Sequence, residues 1–123
     1  MPNKILLGSH ISLKSPEYFL GSVNEALSYN ENCFMFYTGA PQNSIRVSLD
    51  KLKINEGLLK LHENNLDPTN LIIHAPYIIN LANPDINKQQ FSLNVLKSEM
   101  IRAEAFKVKY LVLHPGSHLG FGK

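Results

Sequence analysis

Short runs of aliphatic and aromatic residues alternate along the chain with longer segments whose apolar positions recur every three or four residues. The first kind has the length of strands and the second the period of amphipathic helices. Lys4 to His10 is predicted as a strand. Ser15-Pro16-Glu17 has the makings of a helix start, with serine as N-cap, proline at the first helical position and an acid in the first turn. Phe19, Val23, Ala26 and Leu27 then share one helical face, and Asn30-Glu31-Asn32 ends the helix. Cys33 to Tyr37 is a second strand, followed by a loop over Gly39 to Ser44. Ser48-Leu49-Asp50 caps a short helical turn, and a helix runs to about Asn64 with Leu58, Leu61 and His62 on its inner face. The third strand is Asn70 to His74. A long loop leads to a helix from about Ile86 to Phe106, striped by Leu93, Leu96, Met100 and Ala103, and Lys109 to His114 is the fourth strand.

The order is β-α-β-α-β-α-β, which predicts an α/β fold with parallel strands and right-handed crossovers. Near-continuous apolar strands are expected where both sheet faces are covered. The chain ends in a strand and a glycine-rich loop, an unfinished unit. A complete (β/α)8 barrel takes about 250 residues, so residues 1–123 are expected to form a single partial domain, the N-terminal part of a TIM barrel. The absence of tryptophan fits a gene from an AT-rich bacterium that reads UGA as tryptophan, translated under the standard code. An in-frame continuation is then expected after a UGA codon in the genomic DNA.

Composition narrows the class. Hydrophobic content of 44% and charged content of 18% are ordinary for a soluble protein. No apolar run approaches the ~20 residues that cross a bilayer, so no membrane partner is expected. The N-terminus lacks the longer apolar region of a signal peptide. The single cysteine, Cys33, excludes an internal disulfide framework and fits a reducing, cytoplasmic location. A net charge of +2, with scattered lysines and only Arg46 and Arg102 as arginines, permits nucleic-acid binding without arguing for it.

The chemistry-bearing pattern is the ending of three strands. Ile5-Leu6-Leu7-Gly8-Ser9 runs into His10, Leu71-Ile72-Ile73 into His74, and Tyr110-Leu111-Val112-Leu113 into His114. Strand tips line the ligand-binding face of parallel α/β folds, so three imidazoles converging there suggest a metal site. Two neutral imidazoles on neighbouring strands ~4.8 Å apart can meet on one ion. His74 and His114 are the expected ligands. His118, four residues further out in the loop, is a contact to substrate or to the ligands, or is simply exposed. His10 is a ligand, a hydrogen-bond donor to phosphate or a structural residue, with contact to substrate or to the ligands favoured. His62 is expected to pack in the core and Cys33 to be an inert thiol. Tyr77, in the loop after His74, packs over the barrel mouth or stacks on a base. Gly116 to Lys123 fails as a phosphate loop, because five residues separate Gly116 from Gly122 and no Ser or Thr follows Lys123.

HAPYIINLA (His74 to Ala82) and HPGSH (His114 to His118) resemble the endonuclease IV family of apurinic/apyrimidinic endonucleases, as do LLGSHIS (Leu6 to Ser12) and FYTGAPQN (Phe36 to Asn43). The resemblance implies a (β/α)8 barrel with three Zn2+ ions at its C-terminal mouth. It implies hydrolysis of the phosphodiester 5′ to an abasic site in double-stranded DNA, by an enzyme that is monomeric at full length. His74 and His114 would be ligands of one zinc. Tyr77 and Ile78 would lie on the loop that enters the base stack, and the loop at Gly39 to Asn43 would press on the DNA. Some members carry a basic residue there, where this chain has Gln42. The family's remaining ligands come from later strands and are absent.

Two rival readings stand beside this one. Sugar isomerases and epimerases use similar barrels with divalent metals. The chain could also be a non-functional truncation product, since an open half-barrel exposes two edge strands. As an open half-barrel, the 123 residues alone are expected to be poorly soluble and not to cleave abasic DNA.

Overall fold

The structure is a computed structural model that describes residues 5–120. Lys4, Gly122 and Lys123, named among the sequence features, lie outside the described residues. Four strands, β1 (Gly8–His10), β2 (Cys33–Phe36), β3 (Ile72–His74) and β4 (Tyr110–Val112), alternate with three helices, α1 (Tyr18–Ser28), α2 (Ile54–Glu63) and α3 (Ile86–Ala105). Single 3-10 turns at Leu49–Lys51 and Pro68–Asn70 lead into α2 and β3.

The sheet has the order β1-β2-β3-β4 and every pair is parallel. Each crossover therefore advances one place in the same direction. A doubly wound sheet would reverse direction partway; a barrel never does. The register aligns His10 with Met35, Met35 with Ile72 and Ile72 with Tyr110. One place along, Phe36, Ile73 and Leu111 align. Paired residues on parallel strands point the same way, so the sheet has two distinct faces.

The helix-side face is a dry core. Phe34, Phe36, Leu71 and Ile73 are buried there against Phe19, Val23 and Ala26 of α1, Leu61 of α2, and Phe106. The Phe19 and Phe106 rings meet edge to face at 4.9 Å, as do Phe36 and Phe106 at 5.1 Å. Gly57 makes room for this cluster, since a Cβ on it would strike the Phe19 ring. The opposite face holds Met35 and Ile72, half-buried, and Tyr110 and Val112, exposed. The expected cover on both faces is thus present only on the helix side among the described residues, and β1 is exposed throughout.

Several local expectations shift. The later strands are shorter than expected: β2 ends at Phe36, β3 starts at Ile72 after the 3-10 turn that takes Asn70, and β4 runs only from Tyr110 to Val112. The first strand begins at Gly8, with Leu6 and Leu7 exposed ahead of it. Ser15-Pro16-Glu17 forms a turn, and α1 begins at Tyr18. Tyr18 has φ 46°, a left-handed backbone from which a right-handed helix can only start afresh. His62 is exposed, because the inner face of α2 is Ile54, Gly57 and Leu61, and the next residue lies ~100° further round. The inner face of α3 is Ser92, Val95, Glu99 and Ala103, a rotation of about one residue from the stripe that hydrophobicity suggests. Leu96 and Met100 instead line an open hollow of about 460 Å3 with Val108, Leu111 and Leu113.

Candidate metal centre at the strand tips

The C-terminal ends of the strands carry a row of rings. His10 of β1 lies 5.1 Å from Tyr37 between centroids, Tyr37 lies 4.8 Å from His74, and His74 lies 5.1 Å from His114. The row follows from strand alternation. His10, Tyr37, His74 and His114 all belong to the face away from the helices, each near the end of its strand.

His74 is half-buried and its Nδ1 lies 2.6 Å from the Ala75 carbonyl oxygen. A carbonyl only accepts, so Nδ1 donates in this contact, and in the neutral imidazole that arrangement leaves the lone pair on Nε2. That is the tautomer a metal ligand needs, with the other nitrogen oriented by a hydrogen bond. His114 is exposed, two residues past the end of β4. The 5.1 Å centroid separation suits two imidazoles approaching one ion through nitrogens at about 2.0–2.1 Å. His10 does not join them, because the Tyr37 ring stands between it and His74. Among the described residues no group of three or more His, Cys, Asp or Glu could hold a metal ion. Among the described residues the strand endings thus bring two imidazoles together, those of His74 and His114, and not the three that the pattern suggests.

The loops bearing the two histidines are tied together. The Leu81 amide donates to the Pro115 carbonyl at 2.9 Å. The Asn80 side-chain oxygen accepts from the Ser117 amide at 2.9 Å and from the Ala82 amide at 3.1 Å. The Asn80 amide in turn donates to Ser92 Oγ on α3 at 2.8 Å. Gly116 has φ 114° and lies directly on Asn80, so glycine is needed there both for the backbone and for the contact. Sequence reasoning missed Asn80. Its partner Ser117 is 37 residues away, and nothing in the intervening chain links them.

The other candidates are distributed around this centre. Tyr77 is 60% exposed, so its ring is open for stacking. Its amide donates to the Pro41 carbonyl at 3.0 Å, which holds the β3–α3 loop against the β2–α2 loop. Ile78, the next residue, is half-buried, and Gln42, next to Pro41 in sequence, is exposed. His118 is exposed and accepts at Nδ1 from the Gly120 amide at 2.9 Å. Cys33 is half-buried, and burial together with the neighbouring Glu31 pushes its thiol up, away from thiolate and nucleophile chemistry.

Comparison with known proteins adds an independent line. The family described as xylose isomerase-like TIM barrel matches residues 23–123. Over 122 residues the chain is 51% identical to a protein of Mesoplasma florum named "Probable endonuclease 4", covering 94% of this chain and 41% of that protein. A protein of the same name from Aster yellows witches'-broom phytoplasma is 50% identical over 115 residues, again 94% of this chain and 39% of the relative. The chain therefore spans about 40% of the length of these curated relatives. The fold is also that of part of the crystal structure of endonuclease IV from Thermus thermophilus, with a TM-score of 0.75, 24% identity, and coverage of 90% of this chain and 41% of that one.

Proposed function

The chain belongs to the xylose isomerase-like TIM barrel family, and from that premise we propose that it forms the first four strands of a zinc-dependent endonuclease acting on abasic DNA. The observation that carries this reading is the His74–His114 pair, its rings 5.1 Å apart at the strand tips, with the ligand tautomer of His74 set by the Ala75 carbonyl. These two residues would hold one zinc ion. Further ligands would come from strands beyond this chain, completing the usual zinc complement of four donors. Zinc ions at such a mouth supply Lewis-acid activation of water and neutralise charge that builds on a phosphodiester.

The chain's own part is binding and orientation. Tyr77 offers an open aromatic face at the tip of the β3–α3 loop. An abasic nucleotide leaves the helix at low cost because no base pair is lost, and an aromatic ring can take up the vacated stacking. Ile78 would enter the base stack beside Tyr77 on the same loop, and Gln42 on the adjoining loop would bring an amide to the DNA in place of a cation. His10 and His118 flank the pair as contacts to substrate phosphate. The setting is a soluble monomer working on double-stranded DNA in the cytoplasm; no described helix is long and apolar enough to cross a membrane.

A sugar isomerase of the same barrel family is the alternative. The family description names an isomerase-like barrel, whereas the relatives about 50% identical over the aligned stretch carry the endonuclease name. The test is a chimera in which these 123 residues replace the matching stretch of the Mesoplasma florum relative. It is expected to cleave a duplex oligonucleotide 5′ to an abasic site and to leave aldoses and ketoses untouched. His74→Ala and His114→Ala in the chimera are each expected to lower zinc content by elemental analysis. Unchanged zinc in both variants would remove the pair from the metal site.

A further inference from the structure

Behind the β2–α2 loop lies a buried charge cluster that the strand-tip chemistry does not use. Thr38 and Glu99 are each 2% exposed, and the Arg46 side chain is 5% exposed. The Thr38 hydroxyl donates to the Glu99 carboxylate, 2.8 Å from one oxygen and 2.7 Å from the other. Arg46 Nε donates to Thr38 Oγ1 and Glu99 Oε1, both at 3.0 Å. The far side of the guanidinium reaches the loop. Nη1 donates to the carbonyls of Ala40 at 3.2 Å, Asn43 at 3.1 Å and Ile45 at 2.8 Å. Gly39 admits this packing, since a Cβ there would stand 2.7 Å from Arg46 Cδ.

One planar cation thus joins the middle of α3 to three carbonyls of the segment that carries Gln42. The same segment offers the Pro41 carbonyl to the Tyr77 amide. Burying an ion pair is a poor route to stability, because desolvation offsets the attraction. A fixed fork of donors is a good route to one defined loop shape, and lysine cannot reproduce it.

We propose that Arg46, backed by Glu99 and Thr38, is a positioning residue that holds the β2–α2 loop so that Gln42 and Tyr77 meet DNA as one preformed surface. The proposal rests on the nuclease reading for its ligand, while the tether itself does not. Ordering a loop before binding removes that cost from the binding step. The neighbouring Arg102 feels the same cluster: its guanidinium is lowered first by desolvation, with Glu99 opposing and Arg46 adding to the shift.

The experiment separates tethering from simple stability. Arg46→Met alone leaves Glu99 buried without its cation and could fail to fold. The double variant Arg46→Met/Glu99→Leu removes both charges, and such apolar replacement of a buried pair is often neutral for stability. Hydrogen exchange and cleavage kinetics are both followed in the chimera. In the double variant the amides of residues 39–45 and of Tyr77 are expected to exchange about tenfold faster even where the melting temperature is retained, and KM for abasic duplex to rise about tenfold with kcat within about twofold. Arg46→Lys is expected to restore neither. Loop exchange that stays at the wild-type rate overturns the tether, whatever the nuclease assay gives. Faster exchange with unchanged KM overturns the DNA-facing role. A wild-type chimera that does not cleave abasic DNA refutes the function proposed above, and the exchange result then still decides whether Arg46 holds the loop.

Discussion

Ile72 and Ile73 are neighbours in β3, yet they occupy different environments. Ile73 is fully buried on the helix side, between Phe36 and Leu111 in register. Ile72 is half-buried on the other face, between Met35 and Tyr110. The difference runs across the whole sheet. The helix side is closed by aromatic rings packed at 4.9–6.2 Å. The other side ends in the row of His10, Tyr37, His74 and His114. Stability is concentrated on one face and candidate chemistry on the other. A polar, partly open rim can hold titratable rings only because the packing that supports it lies elsewhere.

The sharpest test uses the same substitution at the two positions. Ile73→Ala is expected to cost about 2–5 kcal/mol, the range for deleting a fully buried aliphatic side chain. Against a total stability of about 5–15 kcal/mol for a small domain, that loss could unfold the chain. Ile72→Ala is expected to cost less than about 1.5 kcal/mol, since only part of its surface leaves water. Urea denaturation of the chimera followed by circular dichroism measures both. Equal losses would break the comparison, and a larger loss at Ile72 would invert it.

Much of this division is legible in the sequence, and the gaps have physical causes. The apolar runs locate every strand, and the repeated ending in histidine marks the face that carries His74 and His114. Apolar runs do not say which of their faces is covered, because Ile72 and Ile73 look alike until a partner layer is present. The face of α3 escapes periodicity for a related reason. Hydrophobicity points to Leu93, Leu96 and Met100, whereas Glu99 and Ser92 face inward because each finds a polar partner. Those partners lie at Arg46, 53 residues before Glu99, and at Asn80. Burial of a charge is decided by a distant residue, which periodicity within one helix cannot register. His62 fails more simply, by one residue of helical rotation.

A smaller effect is expected at the start of α3, which carries Ser92 and Glu99 to the helix side. Asp85 caps this helix, its carboxylate accepting from the Asn87 amide at 2.9 Å and the Lys88 amide at 3.3 Å. Asp85→Ala is expected to cost about 1 kcal/mol, within the usual range of about 0.5–2 for a lost N-cap. The loss should appear as a lower denaturation midpoint with an unchanged slope. If the cap acts only through the helix, zinc uptake by the chimera stays as it was.

The smallest effect isolates a group that belongs to neither face. Asp67 is the N-cap of the 3-10 turn before β3, and its Oδ1 accepts from the Thr69 hydroxyl at 2.7 Å and the Thr69 amide at 2.9 Å. Those hydrogen bonds favour the carboxylate and hold Asp67 below the usual carboxylate value, the hydroxyl contributing more than the amide. A lowered folded-state value means the carboxylate stabilises the fold at any pH above its unfolded value. That contribution fades as pH falls through the folded value. Thr69→Val removes the hydroxyl and keeps the amide, so the Asp67 titration followed by NMR should move upward toward an ordinary carboxylate. Stability near neutral pH should change little, because the group is exposed and water replaces the lost partner. An Asp67 midpoint that stays put in Thr69→Val would mean the hydroxyl is not its principal partner. A change in the His74–His114 region of the spectrum would mean the turn and the rim are coupled, and the separation of the two faces would then fail at its outermost point.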